Sequence, residues 1–112
     1  MKKLNYTFKV NNEVQSNEEI NYIYNDNKIS FIYNNEKYII HLIEDTITKF
    51  TSEGQILINI PNKNIEIKVD KVGNFNMPIT IIFYEKNENN IELEYVIEDD
   101  TPIRNNIIIK LI

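Results

Sequence analysis

Leu4-Asn5-Tyr6-Thr7-Phe8-Lys9-Val10 alternates apolar and polar side chains without a break. A side-chain period of two gives a strand one apolar and one polar face, as in an antiparallel sheet wet on one side. Ile65-Glu66-Ile67-Lys68-Val69-Asp70 and Ile91-Glu92-Leu93-Glu94-Tyr95 repeat the pattern. Hardly any helical spacing interrupts it, so the chain reads as all-β.

Working outward from Lys3 to Val10, a polar link is expected from Asn11 to Asn17, then a strand from Glu18 to Tyr24. Asn25-Asp26-Asn27 is a turn, because Asn and Asp tolerate positive φ better than other non-glycine residues. Lys28 to Tyr33 returns, Asn34-Asn35 turns again, and Glu36 to Glu44 follows as the most apolar strand, with both faces greasy. Thr46 to Thr51, Gln55 to Ile60 and Ile65 to Asp70 come next, with Ser52-Glu53-Gly54 and Pro61-Asn62-Lys63-Asn64 turning between them. Lys71 to Met77 holds Gly73 and two Asn and reads as a loop. Pro78 to Glu85 then starts on its proline, the tolerated place for one. After a turn at Lys86 to Asn90, Ile91 to Glu98 alternates; Glu98-Asp99-Asp100-Thr101-Pro102 is an acidic loop, and Asn105 to Ile112 is the final strand.

Connections this short between successive strands imply an up-and-down meander. About eight to ten strands left open would present long hydrophobic edges, and closing them into a barrel removes those edges. The first and last strands are then expected to pair. A two-sheet β-sandwich is the alternative architecture. No repeat, linker or domain boundary appears, so residues 1–112 read as a single β-barrel domain.

Composition agrees. Ile occurs 23 times, while Ala and Trp are absent. That favours pleated, half-buried surfaces and removes the best helix former. Excess Ile, Asn, Lys and Tyr is what AT-rich codons produce, which points to a low-GC bacterium or its phage. Much of the Asn content is then codon bias rather than a binding signature. The net charge of −5 and the pI near 4.9 oppose nucleic-acid and anionic-membrane partners, which need basic patches. The absence of cysteine fits a reducing compartment. No apolar run follows Lys2-Lys3 as in a signal peptide, and none approaches the ~18 residues of a membrane helix. A cytoplasmic location is expected.

Three stretches carry a family likeness: Asn21-Tyr22-Ile23-Tyr24 with Lys28-Ile29-Ser30-Phe31-Ile32-Tyr33; Thr46-Ile47-Thr48-Lys49-Phe50 with Glu53-Gly54-Gln55-Ile56; and Asn90-Ile91-Glu92-Leu93-Glu94-Tyr95 with Asn105-Asn106-Ile107-Ile108-Ile109. In order, they resemble the tyrosine-bearing strands, threonine-rich strand with its Gly turn, and closing hairpin of the YwiB-like calycin family. The chain departs from that pattern at Ile60-Pro61-Asn62-Lys63, where the family carries an Arg-x-Gly turn, and at Lys71-Val72-Gly73-Asn74, where it carries a longer Tyr-and-Gly strand. The resemblance implies a lipocalin-like barrel of unassigned function.

No catalytic motif stands out. His41 is the only histidine, and by alternation it lies between Ile39 and Ile43, the setting of a strand histidine satisfied by backbone or water rather than of a base. Glu44-Asp45 and Glu98-Asp99-Asp100 sit at strand ends but lack the spacing of a calcium loop. Glu92 and Glu94 share a strand face; at ~3.3 Å per residue their α-carbons lie about 6.6 Å apart, a spacing that suits carboxylate catalysis and equally any wet strand. Gly54 and Gly73 are the only glycines, so there is no phosphate loop and no nucleophile elbow. The tyrosines form the more pointed set: Tyr22, Tyr24, Tyr33 and Tyr38 fall on three consecutive strands. Cross-strand aromatic pairing explains them structurally; functionally, phenols at a barrel mouth, with His41 nearby, would hold an amphipathic ligand.

The expectation is therefore a non-enzymatic β-barrel without a cofactor or a metal, binding a small apolar ligand or a protein partner. Two alternatives from other classes are an acidic interaction or inhibitor protein of phage type, and a carboxylate- or metal-dependent enzyme.

Overall fold

The computed structural model describes residues 2–112; Met1 lies outside them. Ten strands follow one another: β1 (Lys3–Val10), β2 (Glu13–Asn25), β3 (Lys28–Tyr33), β4 (Glu36–His41), β5 (Thr46–Thr51), β6 (Gly54–Asn59), β7 (Asn64–Val69), β8 (Gly73–Lys86), β9 (Asn90–Ile97) and β10 (Ile103–Leu111). Each pairs antiparallel with its neighbours in sequence, and β1 also pairs with β10, so the order closes on itself as an up-and-down barrel. The closing ladder runs from Leu4 opposite Leu111 to Val10 opposite Asn105. No helix among the described residues is long and apolar enough to cross a membrane.

The turns follow from residue chemistry. Apart from Lys63 and Lys71, every described non-glycine residue with positive φ is Asn or Asp, including the pairs Asn11-Asn12, Asp26-Asn27 and Asn34-Asn35. Two successive positive-φ residues make the hairpin turn whose twist matches that of the flanking strands.

Two expected connections are strands instead. The polar link at Asn11 to Asn17 is a two-residue turn followed at once by β2. Backbone pairing to β1 holds Glu13 to Asn21 there although most of their side chains are exposed. Lys71 to Met77 is likewise mostly the start of β8, paired to β7 from Gly73 to Pro78. Pro78 consequently sits inside a strand, not at its start. Its missing N–H falls where the strand passes from one partner to the other, since pairing to β7 ends at Pro78 and pairing to β9 begins at Ile79. At the other boundary, Glu36 to Glu44 is shorter than its apolar run suggested, since β4 ends at His41 and Ile43 is exposed in a turn.

β2 and β8 change partners midway, and the chain divides there into two compact units. The first holds the residues up to Asn21 together with Ile79–Ile112. Its buried face is a ladder of Leu4, Tyr6, Ile107, Ile109, Ile91, Leu93 and Tyr95, in which Leu4 and Leu93 are fully enclosed. Burying such a side chain stabilises by roughly 1.5–3 kcal/mol. Irregularities break the register between Phe8 and Lys9 and between Ile81 and Phe83. The second inserts Ile82 as an extra residue, so Tyr84 opposite Leu93 joins the buried face while Phe83 opposite Glu94 does not. A one-residue slip exchanges the faces of a strand.

The second unit, Tyr22–Pro78, is a run of hairpins built on six-residue strands. Ile29, Ile40, Ile47, Ile58 and Ile65 lie directly opposite one another across β3 to β7 and are all buried. At Gly54 an added Cβ would collide with the Lys68 carbonyl, so β6 can approach β7 there only without a side chain.

Candidate functional site

Beside that isoleucine row, the same face of the Tyr22–Pro78 unit carries a different chemistry. The register places Tyr22 opposite Phe31, Phe31 opposite Tyr38, Tyr38 opposite Lys49 and Lys49 opposite Ile56. The Phe31 and Tyr38 rings stack with centroids 5.0 Å apart and planes 4° from parallel. Tyr24 faces Ile29, and Tyr33 faces Glu36. All four expected tyrosines therefore share one sheet face. Tyr38 is buried, Tyr22 and Tyr33 are half-buried, and Tyr24 is exposed, its hydroxyl donating to Asn27 Oδ1 at 3.2 Å.

An ion pair stands in this aromatic row. Lys49 Nζ lies 3.2 Å from Glu36 Oε1, with their side chains 34% and 30% exposed. Lys49 Nζ also sits 5.8 Å from the Tyr38 ring centroid, within the range of a cation–π contact. Burial alone would lower the Lys49 pKa, but the Tyr38 phenol and the Glu36 carboxylate outweigh it and hold the ammonium above its ordinary value. Chemically, the face offers flat rings, phenol hydroxyls and one fixed cation–anion pair. These are the elements that orient a molecule with an apolar body and a polar end. Lys49 and Glu36 were not among the residues expected from sequence. A signal existed, because Lys49 shares the parity of Ile47, and Glu36 that of Tyr38 and Ile40.

His41 stands apart. It pairs across with Lys28 and Thr46, which places it on the opposite face from the tyrosines. Its nearest ionic neighbour is Glu44, at 4.0 Å from Nδ1. The acidic groups divide similarly. Glu98 accepts from the Thr80 hydroxyl at 2.8 Å, and Asp99 accepts from the Asp100 N–H at 2.7 Å. Glu92 and Glu94 share a face of β9, and the Asn106 amide donates to both, at 3.5 and 3.4 Å. Among the described residues no group of three or more His, Asp or Glu side chains is placed to hold a metal ion.

Compared with family models, with curated proteins and with solved structures, the chain matches none.

Proposed function

We propose that this is a small non-enzymatic binding protein whose ligand lies against the aromatic face of the Tyr22–Pro78 unit. One observation carries the reading: the row Tyr22, Phe31, Tyr38, Lys49, with Glu36 paired to its cation, beside the buried isoleucine row of the same face. A half-buried ion pair adds little stability and is often replaceable by apolar residues, so packing alone gives it little reason to be there. A ligand with a flat or aliphatic body and a polar end gives it one. The calycin resemblance suits this reading, as small-molecule binding is a common use of closed barrels, and the absence of cysteine suits a cytoplasmic home.

The acidic-interaction alternative has thinner support. Several of its carboxylates are already engaged by cations, Glu19 by Lys3, Glu36 by Lys49 and Glu94 by Arg104.

Displacement of an apolar dye, together with native mass spectrometry of protein purified from its host, tests the proposal. Tyr22→Ser and Lys49→Gln are expected to weaken dye binding several-fold, while His41→Gln on the opposite face leaves it unchanged. Equal effects from all three, or no binding of dye or host molecule, would sink the reading.

A further inference from the structure

A separate site is built at the turn between β1 and β2. A cavity of about 310 Å³ opens there, lined by Asn11, Asn12, Val96, Pro102 and Arg104. That is the small end of the range for pockets that hold a metabolite. Arg104 is the only arginine in the chain, and both its ends are fixed. The Asn11 N–H donates to the Arg104 carbonyl at 2.8 Å, and the Arg104 N–H donates to Asn11 Oδ1 at 3.0 Å. The side chain starts directly opposite Val96 on β9, and its Nε forms an ion pair with Glu94 Oε2 at 3.2 Å.

A guanidinium has five N–H donors, and the Glu94 ion pair is made on its Nε side. The terminal nitrogens have no partner among the described residues, and neither has the Asn12 carboxamide. The cavity therefore combines an oriented fork of donors, a carboxamide, and the hydrocarbon of Val96 and Pro102.

We propose that this cavity binds a short aliphatic carboxylate, with its oxygens on the Arg104 fork and Asn12 and its hydrocarbon against Val96 and Pro102. The fork geometry matches a carboxylate with two parallel bonds. The charge balance sets the class more narrowly. Glu94 already offsets much of the cation, and the Glu98-Asp99-Asp100 loop leads directly to Pro102. A dianion such as phosphate meets too little positive charge there, whereas a monoanion with an apolar part gains from both walls. The carboxylate belongs either to a free small acid or to the C-terminus of a peptide.

Two-dimensional NMR of the whole chain tests this, following the Arg104 Nε–H and Asn12 amide signals during titration with isobutyrate. Isobutyramide serves as the neutral isostere, and N-acetylvaline as the peptide-end probe. Isobutyrate and N-acetylvaline are expected to shift both signals saturably, and the amide is not. Preference between the two acids assigns the source. Arg104→Gln is expected to weaken binding at least about tenfold, and Arg104→Lys by less, since lysine keeps charge without the fork. Glu94→Gln is expected to tighten it several-fold by freeing the guanidinium. Equal response to isobutyramide, unchanged binding in Arg104→Gln, or weaker binding in Glu94→Gln would overturn the assignment.

Discussion

The two units are made of the same amino acids but by different means. Tyr22–Pro78 is all local: each strand pairs with the next through a short turn, and its faces follow strict alternation from β3 to β7. The other unit holds both register irregularities and the ladder that joins β1 to β10 across nearly the whole sequence. The difference teaches where a repeating pattern suffices and where it must be interrupted. Hairpins of equal length need only alternation and a short turn. A long strand that changes partners needs an added residue to re-aim its side chains.

The largest expected effect tests how far the two units are one folding entity. Leu93→Ala removes a fully enclosed side chain from the β9 row and should cost about 3–4 kcal/mol in urea denaturation. Hydrogen exchange of the β4–β6 amides reads the comparison directly. If their protection falls by the same amount, the units unfold together; if it holds, the hairpin unit has a stability of its own.

Gly54→Ala strikes the other unit, by forcing β6 from the Lys68 carbonyl. A loss of about 2 kcal/mol or more is expected, with exchange quickened first in β6 and β7. A loss no larger than at an exposed position would mean that the close approach relaxes freely.

Alkaline pH separates the units by chemistry. Burial pushes the Tyr95 hydroxyl up to about 12, so the folded state keeps a proton that the unfolded chain releases near pH 10. That contribution is fully present below pH 10 and disappears as the pH rises towards 12, for a total of about 2–3 kcal/mol. Tyr95→Phe should flatten the decline in a pH series of melting curves. Lys49, raised as well, acts with the same sign: its contribution is complete below its ordinary value and is lost above its raised one. Lys49→Gln should remove only a minor part of the slope, because its side chain is a third exposed.

The smallest effect concerns turns. Asn35→Gly keeps a positive φ at no steric cost and should change stability by no more than about 0.5 kcal/mol. A large loss, measured by the same denaturation, would mean that the Asn35 side chain and not its backbone shapes the hairpin.

These contrasts also explain what was readable beforehand. β1, β3 and β5 fall at the residues their alternation marks, and the pairing of first and last strands follows from the need to hide edges. The start of β2 was not legible, because Asn11 to Asn17 carries no apolar residue but Val14 and its place in the sheet rests on backbone pairing to β1 rather than on apolar packing. The start of β8 was hidden by Gly73, Asn74 and Asn76, ordinarily loop formers. The slip at Ile82 leaves no trace in composition, yet it decides that Tyr84 rather than Phe83 lies on the buried face. At the candidate site the tyrosines were legible as a set because they fall on three consecutive strands, while their common face comes from the register. His41 was grouped with them by closeness in sequence alone, and the ladder puts it on the reverse face. Lys49 and Glu36 were overlooked because a charge at an apolar parity reads as noise until its partner is located across the strand.

The ladder from Leu4 to Leu111 also imposes an order in time. Its residues are separated by nearly the full sequence, and contacts of such separation are slow to form because loop entropy must be met first. Hairpins within Tyr22–Pro78 can assemble while β1 and β10 still search for each other. During that interval both terminal strands present open edges, that of β10 rich in isoleucine, to every other copy in solution. Refolding yield should therefore fall as protein concentration rises, even where the finished barrel stays monomeric.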